Sequence, residues 1–180
     1  MDVAGKDGLG GHCNMTHVDK GVLSYLKSMF NIKTMLDVGC GPGGQIREAI
    51  NLGIEAEGID GFPGVAKLPV PIIIHDFRTG AYNHNKDYDL VWSCEFLEHV
   101  EEKFMSNYMV SFQAAKYAMV TASPSLIGYH HVNVKPEEYW IEKFAQYGFS
   151  FDEAQTAKVR EESTMGRDFI RSSGLFFKRV

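Results

Sequence analysis

The stretch that most constrains this chain is residues 36–44, Leu-Asp-Val-Gly-Cys-Gly-Pro-Gly-Gly, which closes a hydrophobic run beginning at Thr34. An apolar run that enters a glycine-rich turn and leaves as a helix-like segment, Gln45-Ile-Arg-Glu-Ala-Ile-Asn, is the opening unit of an open α/β sheet. Gly39, Gly41 and Gly43 alternate along the turn. Glycine reaches positive φ and lacks a Cβ, so a ligand can lie against bare backbone there. The helix that follows offers unpaired N–H groups and a partial positive charge. The turn therefore reads as a nucleotide-cofactor site.

Spacing alone does not choose the nucleotide, because Gly39-x-Gly41-x-x-Gly44 also fits the dinucleotide fingerprint. The acids around it separate the readings. Asp37 stands two residues before the first glycine, where a carboxylate would face a pyrophosphate unfavourably and an amino group well. Asp60 ends the next strand (54–59) and is placed to accept ribose hydroxyls. Asp76 ends a third strand (70–75), within reach of an adenine amino group. Three acids at three successive strand ends suit S-adenosylmethionine better than NAD.

Asp37-x-Gly39-x-Gly41-x-Gly43, then Asp60, Asp76-Phe77 and Tyr88-Asp-Leu-Val-Trp-Ser93, resembles the class I S-adenosylmethionine-dependent methyltransferases over residues 33–180. The resemblance implies a Rossmann-like α/β sandwich whose seven-stranded, mostly parallel sheet has the order 3-2-1-4-5-7-6, with strand 7 antiparallel. It also implies a cofactor site made of Asp37, Gly39, Gly41 and Gly43 (methionine end), Asp60 and Gly61 (ribose), Asp76 and Phe77 (adenine), with Ser93 and Glu95 completing the crevice.

At 180 residues and 44% hydrophobic content, the chain is long enough for one domain with a sizeable core. A net charge of −5 argues against a broad polyanion-binding surface and makes nucleic acid a poor default partner. Neither a membrane-spanning run nor a signal-peptide pattern is found, and Cys13, Cys40 and Cys94 lack framework spacing, so a cytoplasmic protein with reduced thiols is expected. Residues 1–15 read as a glycine-rich mobile tail, whose His12 and Cys13, with His17, are incidental rather than ligands.

Along the chain, helices are expected at 18–30, 44–52, 101–117 and 137–147, and further strands at 88–92, 118–122, 149–151 and 174–179. Val22, Leu23, Leu26, Met29 and Phe30 keep helical spacing toward the sheet. Ile72-Ile73-Ile74 suits a strand buried on both faces. A polar loop at 78–87 replaces the usual crossover helix and leaves one face thinly covered, a place for a homodimer contact. His75 reads as a satisfied strand residue and His84 as solvated.

The sharpest chemical candidate is Glu95-Phe-Leu-Glu98-His99. On a helical turn, positions i, i+3 and i+4 share a face, so two carboxylates and an imidazole converge. With His131 or His130 from the loop after the fifth strand, Glu95, Glu98 and His99 form a credible site for Mg²⁺, Mn²⁺ or Zn²⁺. The pattern resembles small-RNA 2′-O-methyltransferases and ubiquinone-pathway O-methyltransferases, where it implies a metal beside the acceptor hydroxyls. Two other readings stay open: His99, His130 or His131 as a metal-free general base, and a structural turn. Tyr129 and Trp140 belong either to an acceptor wall or to the core.

The expected activity is O-methylation of a small molecule or an exposed glycan or lipid-precursor group. The alternatives are methylation of an RNA end, an NAD(P)-dependent oxidoreductase, and a cofactor-binding subunit without turnover.

Overall fold

The computed structural model describes residues 9, 11, 15–65 and 69–180. Most of the tail, with His12 and Cys13, lies outside them. The chain runs α1 (Lys20–Phe30), β1 (Thr34–Val38), α2 (Gly44–Asn51), β2 (Glu55–Asp60), β3 (Ile72–Ile74), β4 (Tyr88–Ser93), α3 (Met105–Gln113), β5 (Ala115–Val120), α4 (Glu137–Gln146), β6 (Phe149–Phe151), α5 (Glu153–Glu162), α6 (Phe169–Ser173) and β7 (Leu175–Arg179). The strands form one sheet, β3-β2-β1-β4-β5-β7-β6. β1 to β5 pair in parallel, whereas β7 runs antiparallel to both β5 and β6. This is the order and polarity expected.

The period-two alternation of the strands builds two cores. Leu36, Val38, Val91, Ala118, Val120, Leu175 and Phe177 face α3 and α4. Their neighbours Met35, Leu90, Trp92, Met119 and Phe176 face α1, α2, α5 and α6. A three-layer sandwich follows, because every central strand is apolar on both faces.

Tertiary pairing overrode several local expectations. β3 is a three-residue edge strand with Ile74 45% exposed, so its isoleucine run reflects β propensity rather than burial on both sides. The strand expected at 118–122 begins at Ala115, since Tyr88 and Leu90 pair with Ala115 and Tyr117, and the helix before it ends at Gln113. α5 and α6 were not foreseen. Met29 points outward, 55% exposed. The loop at 78–87 covers its own face: His75, Tyr82, His84 and Tyr88 stack ring to ring. His84 is half-buried, with its ring nitrogens 3.0 Å from Ser111 Oγ and 3.3 Å from the Tyr88 hydroxyl, rather than solvated. His75 is satisfied by the Gly80 carbonyl at 3.0 Å.

The first helix begins two residues later than its apolar pattern, at Lys20, because Asp19 caps it. The Asp19 carboxylate is fully buried and accepts from Val22 N (3.0 Å), Thr164 N (3.1 Å), Met165 N (3.2 Å) and the Ser163 hydroxyl. It thereby ties the start of α1 to the segment between α5 and α6. Asp19→Ala would strand two or three buried donors, and a stability loss of about 3 kcal/mol is expected in urea denaturation. A change within about 0.5 kcal/mol would show that the tie is not structural.

Candidate cofactor and metal site

The glycine turn has the backbone its sequence requires. Gly39 (φ 75°), Gly41 (φ 51°) and Gly43 (φ 82°) are all left-handed, a region that L residues enter at a cost. A Cβ on Gly39 would stand 2.5 Å from the Phe96 ring, so that ring lies directly on the turn. The turn is pinned from below by Gly39 N to the Ile59 carbonyl (2.9 Å). It is pinned from the side by Gly41 N to Asp60 Oδ2 (2.9 Å), and from above by Gly44 N to Thr16 Oγ1 (3.1 Å).

Around it lies a cavity of about 590 Å³ at the carboxyl ends of β1, β2 and β4, within the size range of cofactor sites. Asp37, Gly39, Gly41, Asp60, Gly61, Glu95, His99 and His131 all line it. Thr16, His17, Gln45, Trp92, Phe96, Tyr129, Arg167 and Phe169 join them. Most of this second group lay outside the sequence reading, because no local pattern marks a residue that a distant loop delivers. Tyr129 carried a signal, as one face of an acceptor wall, and so did His17, standing with Asp19 at the start of the first helix.

Asp37 is buried and its carboxylate has no hydrogen-bond partner among the described residues; burial, then the nearby Asp60 charge, push it well above the usual carboxylate range. A carboxylate in that condition is a receptor for a cation. Asp60 also accepts from Phe62 N (2.8 Å), so each of its oxygens holds one backbone N–H.

The other expected cofactor residues have these surroundings. Asp76 is clasped by its neighbour Arg78 (2.7 Å); against the upward push of burial, those bonds hold its carboxyl below the ordinary value. It edges a smaller adjoining cavity. Phe77 packs in the core between Phe96 and Tyr108, although it also edges that smaller cavity with Asp76 and His130. Ser93 is buried and donates to the Val38 carbonyl (2.9 Å), joining β4 to β1 instead of facing the crevice. Gly43 faces inward, where a Cβ would stand 2.5 Å from Val70. Trp140 is core, whereas Tyr129 is 44% exposed on the cavity rim.

The Glu95 to His99 segment is not a regular helical turn. Glu95 is left-handed (φ 54°), and a 3₁₀ turn follows at Leu97–His99. The structure brings together Glu98, His99 and His131, whose ligand atoms all lie within 4.8 Å of one another. Glu95 is not in that set; it accepts from the Thr121 hydroxyl (2.8 Å) and stands beside Glu98. His130 lines the smaller cavity instead.

The donor set fits a divalent cation on three counts. Glu98 is fully buried, and among the described residues neither of its oxygens has a hydrogen-bond partner. His99 Nε2 stands 4.0 Å from Glu98 Oε1, and burial and the neighbouring His131 push its imidazole down to about 4, so it is neutral with a free lone pair at pH 7. His131 donates from Nδ1 to the Ser125 carbonyl (2.6 Å), which fixes its tautomer in the manner of outer-shell partners that orient metal ligands.

Without a cation, the Glu98 carboxyl pays for its burial by holding a proton: burial, then the Glu95 charge, push it up to about 9. The unfolded chain titrates near the ordinary 4.5, so between those values the folded state binds the extra proton. Stability from this group is complete below about pH 4.5 and is lost as pH rises toward 9. In EDTA, the denaturation free energy should fall by on the order of 3 kcal/mol from pH 5 to 8.5, and Glu98→Gln should flatten that slope. A wild-type slope equal to that of the variant would be incompatible with a buried, protonated Glu98.

No family model matches the sequence and no curated protein matches it, but solved structures share its fold. A TehB-like S-adenosylmethionine-dependent methyltransferase from Corynebacterium glutamicum superposes with TM-score 0.66 at 14% identity, over 89% of this chain and 88% of that one. The sugar N-methyltransferase KedS8 from Streptoalloteichus sp. gives 0.64 at 11% identity, over 88% and 87%. The O-methyltransferase of a trans-AT polyketide synthase multienzyme of Brevibacillus brevis, solved with S-adenosyl-L-homocysteine, gives 0.62 at 14% identity, over 89% and 71%. The fold of this chain is thus that of the class I S-adenosylmethionine-dependent methyltransferases.

Proposed function

We propose that this chain is an S-adenosylmethionine-dependent methyltransferase that acts on an oxygen of a small acceptor, assisted by a divalent cation at Glu98, His99 and His131. One observation carries the reading: the buried, unpartnered Asp37 and the glycine turn line the same cavity as His99 and His131. The structural neighbours methylate different atoms, so their fold does not choose the acceptor, and the choice of oxygen rests on this chain's own donor set.

In this reading Asp37 receives the cofactor's ammonium group, Asp60 a ribose hydroxyl and Phe96 covers the turn. Alignment of nucleophile, methyl and sulfur supplies most of the acceleration, since the sulfonium loses its charge as the methyl leaves. A hydroxyl acceptor must also lose a proton; Glu98, His99 and His131 would hold a cation that would lower the hydroxyl pKa. Without a cation, neutral His99 has the free lone pair to take that proton at pH 7; as a metal ligand it would not. No helix among the described residues is long and apolar enough to cross a membrane, and the net charge of −5 favours a small acceptor over nucleic acid.

The test is calorimetric titration of S-adenosylhomocysteine into the protein, expected to show one site per chain. A lack of heat and of thermal protection, with NADH protecting instead, would reverse the reading.

A further inference from the structure

The cavity rim is more apolar than a site for a sugar or nucleotide acceptor needs to be. Between β5 and α4, Leu126 is 80% exposed, Ile127 91%, and Tyr129 and Val132 44% each. Four large apolar side chains within seven residues of one loop form a patch rather than scattered exposure. The patch is continuous with the transfer site, because Ile127 and Tyr129 line the same cavity as Asp37, His99 and His131. Whatever fills the acceptor end of that cavity must therefore lie along the loop.

A second feature of the same cavity concerns charge. Among the described residues, its lining contains the acids Asp37, Asp60 and Glu95 but a single Lys or Arg, Arg167. Arg167 is exposed, forms no ion pair among the described residues, and stands 5.8 Å over the Phe169 ring. Arg171, on the same segment, is by contrast fully engaged with Asp168 and with carbonyls. An unpaired guanidinium on an aromatic ring beside an apolar rim is complementary to an amphiphilic anion.

Resting on the methyltransferase reading, we infer that the acceptor is an amphiphilic anion: its acidic group meets Arg167 and its hydrocarbon part lies on Leu126, Ile127 and Tyr129. Carboxylate and phosphate head groups share this chemistry, and simple alkanoates serve as probes.

The experiment titrates butanoate, octanoate and octan-1-ol into protein saturated with S-adenosylhomocysteine. Each fully buried methylene is worth about a fourfold gain in affinity, so four of them partly buried on an open rim should favour octanoate over butanoate by at least about tenfold. Octanoate should also exceed octan-1-ol by about tenfold or more, as a charge-assisted contact implies. The double variant Leu126→Ser with Ile127→Ser should erase the chain-length gain, and Arg167→Gln should erase the acid-over-alcohol gain while leaving S-adenosylhomocysteine affinity within about threefold. Equal, weak binding of all three probes to wild type would overturn the inference and leave the patch to a macromolecular partner. Loss of S-adenosylhomocysteine affinity in Arg167→Gln, with the octanoate preference intact, would overturn it by assigning Arg167 to the cofactor carboxylate. If wild type fails to bind S-adenosylhomocysteine at all, the methyltransferase reading falls first. Alkanoate selectivity measured on that free protein then judges the amphiphile site by itself.

Discussion

Asp60→Ala is expected to weaken binding of S-adenosylhomocysteine by about 100-fold or more, measured by calorimetry. The Asp60 carboxylate does two jobs. It holds Gly41 N and Phe62 N, and so keeps the glycine turn and the start of the next loop in place around the cavity. It also lines the cavity itself. Charge-assisted bonds contribute about 1.5–3 kcal/mol each, and loss of two or more of them exceeds the 2.7 kcal/mol or so that a 100-fold change requires. Asp60→Asn separates the jobs: one side-chain oxygen can still accept from Gly41 N, so the variant should fold like wild type and still lose affinity. Near-normal affinity in both variants would remove Asp60 from the cofactor site.

Glu98→Ala is expected to abolish the single saturable Mn²⁺ site that wild type shows when saturated with S-adenosylhomocysteine, a loss of at least about 100-fold in metal affinity. The argument is electrostatic. Glu98 is the one fully buried carboxylate in the set, and a buried charge without a donor demands either a proton or a cation. His99 and His131 alone are neutral ligands and cannot compensate a 2+ ion. Glu95→Ala should weaken Mn²⁺ far less, since Glu95 spends its carboxylate on Thr121 and lies outside the three-residue set. If Mn²⁺ produces no saturable heat in wild type, the cation is withdrawn and neutral His99 stands alone as the proton acceptor.

Much of this site was legible before any coordinates. Alternating glycines announce left-handed backbone, and Gly39, Gly41 and Gly43 adopt it. Acids at the ends of β1 and β2 announce a cofactor crevice, and Asp37 and Asp60 stand in it. The Glu-x-x-Glu-His spacing placed Glu98 and His99 together, through a 3₁₀ turn beside His131, while Glu95 lines the cavity outside that three-residue cluster. The unread part was the side of the cavity formed by Arg167 and Phe169. They stand just before and at the start of α6, after an α5 of weak apolar periodicity, and Asp19, far away in the chain, anchors the segment that joins the two helices.

The strand order came from the resemblance that the motifs carry, and what the sequence determined by itself was local and periodic: the apolar strands and the glycine turn. These depend on neighbours a few residues apart, where steric limits on φ and the two-residue pleat act directly. What only the tertiary structure decided was the state of each carboxylate. Asp76 is paired with Arg78, Asp60 is held by backbone N–H groups, and Asp19 is consumed by a cap and a loop, while Asp37 and Glu98 are buried without a donor among the described residues. A carboxylate's chemistry is set by its solvation and its partners, and most of those come from elsewhere in the chain, so identical residue types become an anchor, a latch or a receptor only once the sheet has assembled.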